Sequence, residues 1–133
     1  MAFGKGLANG LGVNLLVQDV DAAARFAVEV LAAAIVYWEE HFAIISAQGS
    51  VWQLHSDWSY RNHEMRGAVA GLMARGGGVE LRLYGADPDA CVERARTAGA
   101  TVLSAPLDKP HGLREAHIID QNGYIWVPSI SLP

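Results

Sequence analysis

The sequence contains two similar segments, 68 residues apart, each of which opens an amphipathic helix just after a short apolar run. Positions 19–22 read Asp-Val-Asp-Ala, and positions 87–90 read Asp-Pro-Asp-Ala. An aspartate before a helix caps its first free N–H groups, and proline suits the first helical turn. The offset is about half of the 133 residues, which indicates that one structural unit occurs twice.

The hydrophobic pattern predicts the same order of elements in both halves. Short apolar or alternating runs predict strands, and apolar residues at spacings of three and four predict helices. The first half is expected to hold strands over 11–18, 34–38, 42–47 and 51–55 and a helix over 20–32. The second is expected to hold strands over 79–84, 101–104, 115–119 and 124–130, with a helix from 88 to about 98. The pattern therefore predicts an α+β fold of two βαβββ modules.

We expect these modules to form one domain over 1–133. Module one spans about 11–56, a linker spans 57–77, and module two spans about 78–130. Each module leaves one sheet face uncovered by its own helix, so two curved mixed sheets are expected to enclose a cavity. The polar, Gly-containing linker has two interpretations: a connection between the modules, or a lid over the cavity. Helical turns are predicted within 67–74.

Composition and charge limit the classes of partner. A net charge of -4 argues against a nucleic-acid partner held by phosphate contacts. No apolar run is long enough to predict a membrane span, and 1–10 lacks the apolar core of a signal peptide. The single cysteine, Cys91, excludes an intramolecular disulfide and lies on the apolar stripe of its helix. We expect a cytoplasmic protein that binds a small molecule, with no nucleic-acid or membrane partner.

Strand alternation assigns residues to the cavity side of each sheet. The predicted lining is mostly apolar with a few polar groups, which is the usual composition of a small-molecule pocket. Two linker aromatics are expected to close the mouth of the pocket, because aromatic walls suit planar or cationic ligands. The predicted ligand-binding residues are Asn14, Leu16, Gln53, His55, Trp58, Tyr60, Glu80, Arg82, Tyr84, Ile125 and Val127.

Three motifs occur in order along the chain: a strand ending in Val-x-Asp at 17–19, a Gly-Ala-Thr-Val joint at 99–102 and a hairpin Asp-Gln-Asn-Gly-Tyr-Ile-Trp at 120–126. In this order and spacing they resemble the glyoxalase/bleomycin-resistance/dioxygenase (vicinal oxygen chelate) superfamily. The resemblance covers about 11–130 and implies a glyoxalase-like fold. The open sheets and edges of such modules favour pairing with a second chain, so a homodimer is expected.

The resemblance also defines where a divalent metal would be held, by His, Gln or Glu on the first and last strands of the modules. These positions fall on Gly12, on the strand with Gln53 and His55, on Glu80 and on Val127. Glycine and valine offer no side-chain ligand, so no metal cofactor is expected at the family-type site. The alternative is a rearranged site for Zn, Ni, Mn or Fe built from His55, Glu80 and His117.

These observations are compatible with several functions, some enzymatic and some not. The first is a metal-free, small-molecule-binding protein that sequesters an antibiotic or another aromatic or cationic ligand, as the bleomycin-resistance branch does. The alternative is a divalent-metal-dependent lyase, isomerase or dioxygenase with a rearranged metal site. A third is a dimeric module with a vestigial pocket. No phosphate loop, dinucleotide fingerprint or Ser-His-Asp arrangement is evident in the sequence.

Overall fold

A computed structural model describes residues 3–6, 9–69 and 71–133. After a 3-10 helix over Phe3–Gly6, module one consists of β1 (Asn14–Val17), α1 (Val20–Leu31), β2 (Ala34–Glu39), β3 (Phe42–Ala47) and β4 (Ser50–Ser56). The linker holds a 3-10 helix (Asp57–Tyr60) and α2 (Glu64–Val69). Module two consists of β5 (Glu80–Tyr84), α3 (Pro88–Thr97), β6 (Thr101–Asp108), β7 (Leu113–Ile119) and β8 (Ile125–Ser131).

The strands form two four-stranded mixed sheets with the same topology. Their orders are β1-β4-β3-β2 and β5-β8-β7-β6, with the first pair parallel and the others antiparallel in each sheet. The predicted α+β fold of two βαβββ modules is confirmed. The two sheets remain separate four-stranded sheets and are not closed into one barrel. Each sheet has one face packed on its helix and one face, called here the open face, turned away from it.

Both helices begin as the repeat predicts. The Asp19 carboxylate accepts a hydrogen bond from the Ala22 N–H at 3.2 Å, and the Asp87 carboxylate accepts one from the Asp89 N–H at 3.0 Å. Pro88 occupies the first turn of α3. None of the helices in the described ranges has the length and apolar character needed to cross a membrane.

Several boundaries differ from the sequence prediction for identifiable reasons. Strand β1 begins at Asn14, because its pairing with β4 starts there, opposite Gln53. Strand β6 continues past irregularities in its register to Asp108, which pairs with Arg114 of β7. The linker helix begins earlier than the predicted 67–74, because the His63 Nδ1 accepts a hydrogen bond from the Met65 N–H and caps the turn. Residues 1, 2, 7, 8 and 70 lie outside the described residues.

A single hydrophobic core joins the two modules on the helix side of both sheets. Helices α1 and α3 pack against each other, and the Arg94 guanidinium of α3 donates to the Val30 carbonyl of α1 at 3.0 Å. Trp52 of β4 and Trp126 of β8, both predicted to be core residues, have ring centroids 5.1 Å apart. Cys91 is also buried in this core, as predicted. The open faces contribute nothing to the contact between the helices.

The end of the linker is fixed to both modules through Arg75. Its side chain is 1% exposed, forms a bidentate pair with Asp57 at 2.7 and 2.8 Å, and donates to the Leu16 carbonyl at 3.0 Å. The Tyr124 hydroxyl of module two donates to the same carbonyl at 2.8 Å. Gly123 has a φ of +84° and lies so close to Met73 that a Cβ there would collide with the linker backbone. This part of the linker is therefore a structural connection.

We expect Arg75→Leu to lower the free energy of unfolding by about 3 kcal/mol, because the change leaves the Asp57 carboxylate without its partner and removes one of the two donors to the Leu16 carbonyl. The control is Arg25→Leu, which removes an exposed pair with Asp21 at the same short distance of 2.8 Å. This control should cost no more than about 0.5 kcal/mol. Urea unfolding followed by circular dichroism measures both. Equal effects for the two variants would contradict the structural role of Arg75.

Candidate functional site

The open face of module one carries a cleft lined by aromatic and imidazole rings. Its volume is about 490 Å³, and its wall is formed by Gly4, Glu39, His41, Phe42, Gln53, His55, Trp58, Ser59 and Arg61. Strands β3 and β4 place Phe42 opposite His55 in register, so the two rings lie side by side, with centroids 4.9 Å apart. Tyr60, at the start of the linker, packs edge-on against His55 at 5.3 Å.

His55 is the polar centre of this cleft. The Nε2 atom lies 3.0 Å from the Gln53 side-chain oxygen, so Nε2 carries the proton and donates. Partial burial lowers the pKa of His55 below its ordinary value of 6.5. The imidazole is therefore neutral at pH 7, and its Nδ1 keeps a lone pair able to accept a hydrogen bond from a ligand.

Trp58, predicted to close the cavity mouth by stacking on a ligand, already has neighbours on its ring. The His41 ring stacks on it with centroids 4.3 Å apart, and the Arg61 guanidinium lies 3.6 Å from the ring centroid. His41 is held in turn by a 2.8 Å hydrogen bond with the buried Ser56 hydroxyl. A ligand thus meets the exposed edge of Trp58, and it stacks on the ring only where Arg61 moves away.

The open face of module two is polar and charged. The Arg82 guanidinium lies between two carboxylates, 3.0 Å from Glu80 and 3.2 Å from Glu115. His117 places Nε2 at 2.8 Å from Glu80, while its Nδ1 lies 2.8 Å from the Ser104 hydroxyl. These contacts form one chain of polar groups across β5, β6 and β7.

Glu115 is the most buried carboxylate on this face, at 3% exposure. Burial would raise its pKa, but Arg82 and His111 outweigh burial and lower the pKa below its ordinary value. Contacts with His117 and then Arg82 likewise lower the pKa of Glu80. His111 Nε2 lies 2.8 Å from Glu115 Oε1 as an ion-pair contact, although Oε1 has no partner in hydrogen-bond geometry. Both carboxylates are ionised at neutral pH, and Arg82 partly neutralises them.

The predicted ligand-binding residues divide between these two faces. Gln53, His55, Trp58 and Tyr60 lie together at the cleft of module one, with Asn14 exposed at the start of β1. Glu80, Arg82, Tyr84 and Ile125 lie on module two, where Arg82 also lies near the Tyr84 ring. Leu16 and Val127 are fully buried, so they support the sheets from within and do not line an accessible surface. Within the described residues, no side-chain hydrogen bond or ion pair joins the two open faces.

The metal positions implied by the superfamily resemblance do not suit a metal in this chain. Gly12 and Val127 provide no ligand atom, and Glu80 is engaged by Arg82 and His117. The rearranged set of His55, Glu80 and His117 does not assemble, because His55 belongs to the cleft of module one. Over residues 3–6, 9–69 and 71–133, no three His, Cys, Asp or Glu side chains converge as a metal site.

Sequence reasoning missed several residues of these faces. Phe42 and His41 line the cleft, and their position directly across from β4 was readable only once the hairpin register was known. Ser104 and Glu115 were likewise not assigned to the lining. The Glu-Ala-His alternation at 115–117 does place Glu115 and His117 on one face, and that was the available signal.

The lowered pKa of His55 has a consequence for stability. The unfolded chain takes up a proton near pH 6.5 that the folded cleft resists, so folding stability is lost as the pH falls below 6.5. We expect the NMR titration midpoint of His55 to lie below 6.5, and His55→Gln to reduce the loss of unfolding free energy between pH 7 and pH 5. A midpoint above 6.5 would contradict the burial of this imidazole.

Solved structures of other proteins share the fold of this chain at low sequence identity. No protein-family model and no curated protein matches the chain. Among solved structures, a glyoxalase/bleomycin resistance protein/dioxygenase family enzyme from Burkholderia phytofirmans PsJN matches with a TM-score of 0.72 and 18% identity, over 90% of this chain and 96% of that one. A glyoxalase-related enzyme from Fulvimarina pelagi matches with a TM-score of 0.72 and 21% identity, over 94% and 89%.

A third solved structure, a glyoxalase/bleomycin resistance protein/dioxygenase from Nocardioides, matches with a TM-score of 0.69 and 20% identity, over 98% of this chain and 91% of that one. The three alignments span nearly the whole of each chain, so they include both modules and the linker. At the level of structure, these matches confirm the resemblance found in the sequence motifs. The chain has the glyoxalase-like fold of the glyoxalase/bleomycin resistance protein/dioxygenase proteins.

Proposed function

We propose that this chain is a small-molecule-binding protein whose ligand occupies the aromatic cleft on the open face of module one. The observation that carries the proposal is the cleft itself, about 490 Å³ in volume and lined by rings on three elements. Ligand pockets of soluble proteins have volumes of about 300–1,000 Å³ and combine apolar walls with a few polar groups. Phe42 and the exposed edge of Trp58 supply ring surface, and His55 and Gln53 supply the polar groups.

The lining favours an aromatic ligand, with a cationic group as a second recognition element. Ring edges and faces attract planar ligands, and aromatic walls also attract cations. The Glu39 carboxylate lies at the rim of the cleft and provides a negative charge there. An aromatic or cationic antibiotic satisfies both requirements, which makes sequestration in the cytoplasm without a metal our preferred role for the protein.

We further propose that the protein acts as a homodimer. The outer strand β2, which lies beside the cleft, exposes large apolar side chains. These side chains are Ile35, Val36 and Trp38. A second copy that covers this strand would remove its apolar surface from water and turn the shallow cleft into an enclosed pocket.

The ligand proposal predicts the effect of removing one ring from the cleft. A panel of aromatic and cationic compounds is first screened through the intrinsic tryptophan fluorescence. For a compound that binds, Phe42→Ala should weaken affinity about threefold to tenfold, the value of one aromatic contact. The control is Val28→Ala, which shortens an exposed apolar side chain on α1, away from the cleft and from the outer strands. Binding that Phe42→Ala leaves unchanged, or that Val28→Ala weakens equally, would refute the assignment of the cleft.

The alternative, a metal-dependent lyase, isomerase or dioxygenase, is distinguished by metal content. We expect protein purified without added metal to contain far less than one Zn, Ni, Mn or Fe per chain, because Arg82 already neutralises Glu80 and Glu115. Inductively coupled plasma mass spectrometry measures this directly. About one tightly bound metal per chain, lost in a variant carrying both His55→Ala and Glu80→Ala, would instead establish the metal-dependent alternative.

A further inference from the structure

Ser104, His117 and Glu80 form a continuous hydrogen-bonded series on module two, apart from the cleft. The Ser104 hydroxyl lies 2.8 Å from His117 Nδ1, and His117 Nε2 lies 2.8 Å from Glu80 Oε2. We propose that Ser104 is an activated nucleophile, with His117 as its general base and Glu80 as the positioning residue that orients His117. The order serine, imidazole, carboxylate is that of acyl-transfer enzymes, here with the two ring nitrogens in exchanged positions.

The carboxylate of Glu80 determines which imidazole nitrogen is the base. A carboxylate only accepts hydrogen bonds, and Glu80 Oε2 lies 2.8 Å from His117 Nε2. His117 Nε2 therefore carries the proton that it donates to Glu80. Nδ1 is left with a lone pair directed at the Ser104 hydroxyl, which donates to it. This is the protonation state that a general base requires.

The fold leaves the serine exposed and places it directly beside His117. Ser104 is exposed on β6, the outer strand of its sheet, and its Cα is paired with that of His117 on β7. The register between these strands shifts on both sides of Ser104 and skips Leu103 and Ala105.

The substrate class that fits is a small carboxylic ester with a good leaving group. Ser104 Oγ attacks the carbonyl carbon as its proton passes to His117 Nδ1, and the carbon–oxygen bond to the leaving alcohol breaks as His117 returns the proton to that oxygen. Water then attacks the acyl-serine ester as its proton passes to His117, and His117 returns that proton to Ser104 Oγ as the acyl carbon–Oγ bond breaks, which releases the acid and restores the serine hydroxyl. The exposed side chains of Leu103 and Leu107 on the same strand favour an alkyl or aryl ester over a charged one.

The test uses the wild-type chain with a fluorophosphonate probe, and peptide mass spectrometry locates the label. We expect label on Ser104 and none on the exposed Ser50, which is the matched control serine. The labelling rate should fall about 100-fold or more in His117→Gln, the lower range for loss of a general base. Hydrolysis of p-nitrophenyl acetate should be lost in Ser104→Ala and kept in Ser50→Ala. No label on Ser104, or equal rates in His117→Gln, would overturn the proposal.

The role of Glu80 needs a readout that a purely structural contact would not change. In ¹⁵N NMR spectra of the wild type, we expect His117 to be protonated at Nε2 and unprotonated at Nδ1. Glu80→Gln should shift that tautomer balance and lower kcat for p-nitrophenyl acetate with little change in KM, while Glu80→Asp restores part of kcat. An unchanged tautomer with unchanged kcat would overturn the positioning role. Because the ester assay does not involve the cleft, its result is independent of the ligand proposal.

Discussion

The packing of α1 against α3, with Trp52 against Trp126, is the interaction on which the rest of the structure depends. These contacts place the helix side of both sheets in one hydrophobic core. A helix and a sheet each bury one face, so once the helix side is shared, the other face of each sheet must point away from it. The internal repeat explains why the two modules meet symmetrically, since Trp52 and Trp126 occupy corresponding positions on the last strand of each module.

The two open faces then differ in chemistry although they share a topology. At corresponding positions, module one places Phe42 and His55, and module two places Glu115 and Ser129. One face is therefore a cleft of rings with a neutral imidazole, while the other is a charged network centred on Arg82. The Arg82 guanidinium lies between two carboxylates and partly neutralises both of them with the chain's own positive charge.

Local signals made the fold predictable from the sequence. The two capping aspartates, the alternation in β5 and the turn before β8 each act within a few residues, and each is found where it was predicted. The linker was less predictable because its anchor is long-range: Arg75 pairs with Asp57 and binds the Leu16 carbonyl.

Alternation assigned Leu16 and Val127 to the open faces, but it does not report what covers them, and both are buried. The alternative metal set of His55, Glu80 and His117 does not come together among the described residues, because alternation identifies the face of a strand and does not show which strands lie close in space. Ser104 was missed because its contact with His117 depends on an irregular strand register.

Both open faces point away from the shared core, and we propose that a second copy completes the pocket on the open face of module one. The exposed apolar side chains of β2 are the surface that such a copy would cover. Sedimentation equilibrium at micromolar concentration tests this most directly. The account predicts a particle of twice the 14.3 kDa chain mass. A particle of 14.3 kDa that remains monomeric as the concentration is raised would contradict it.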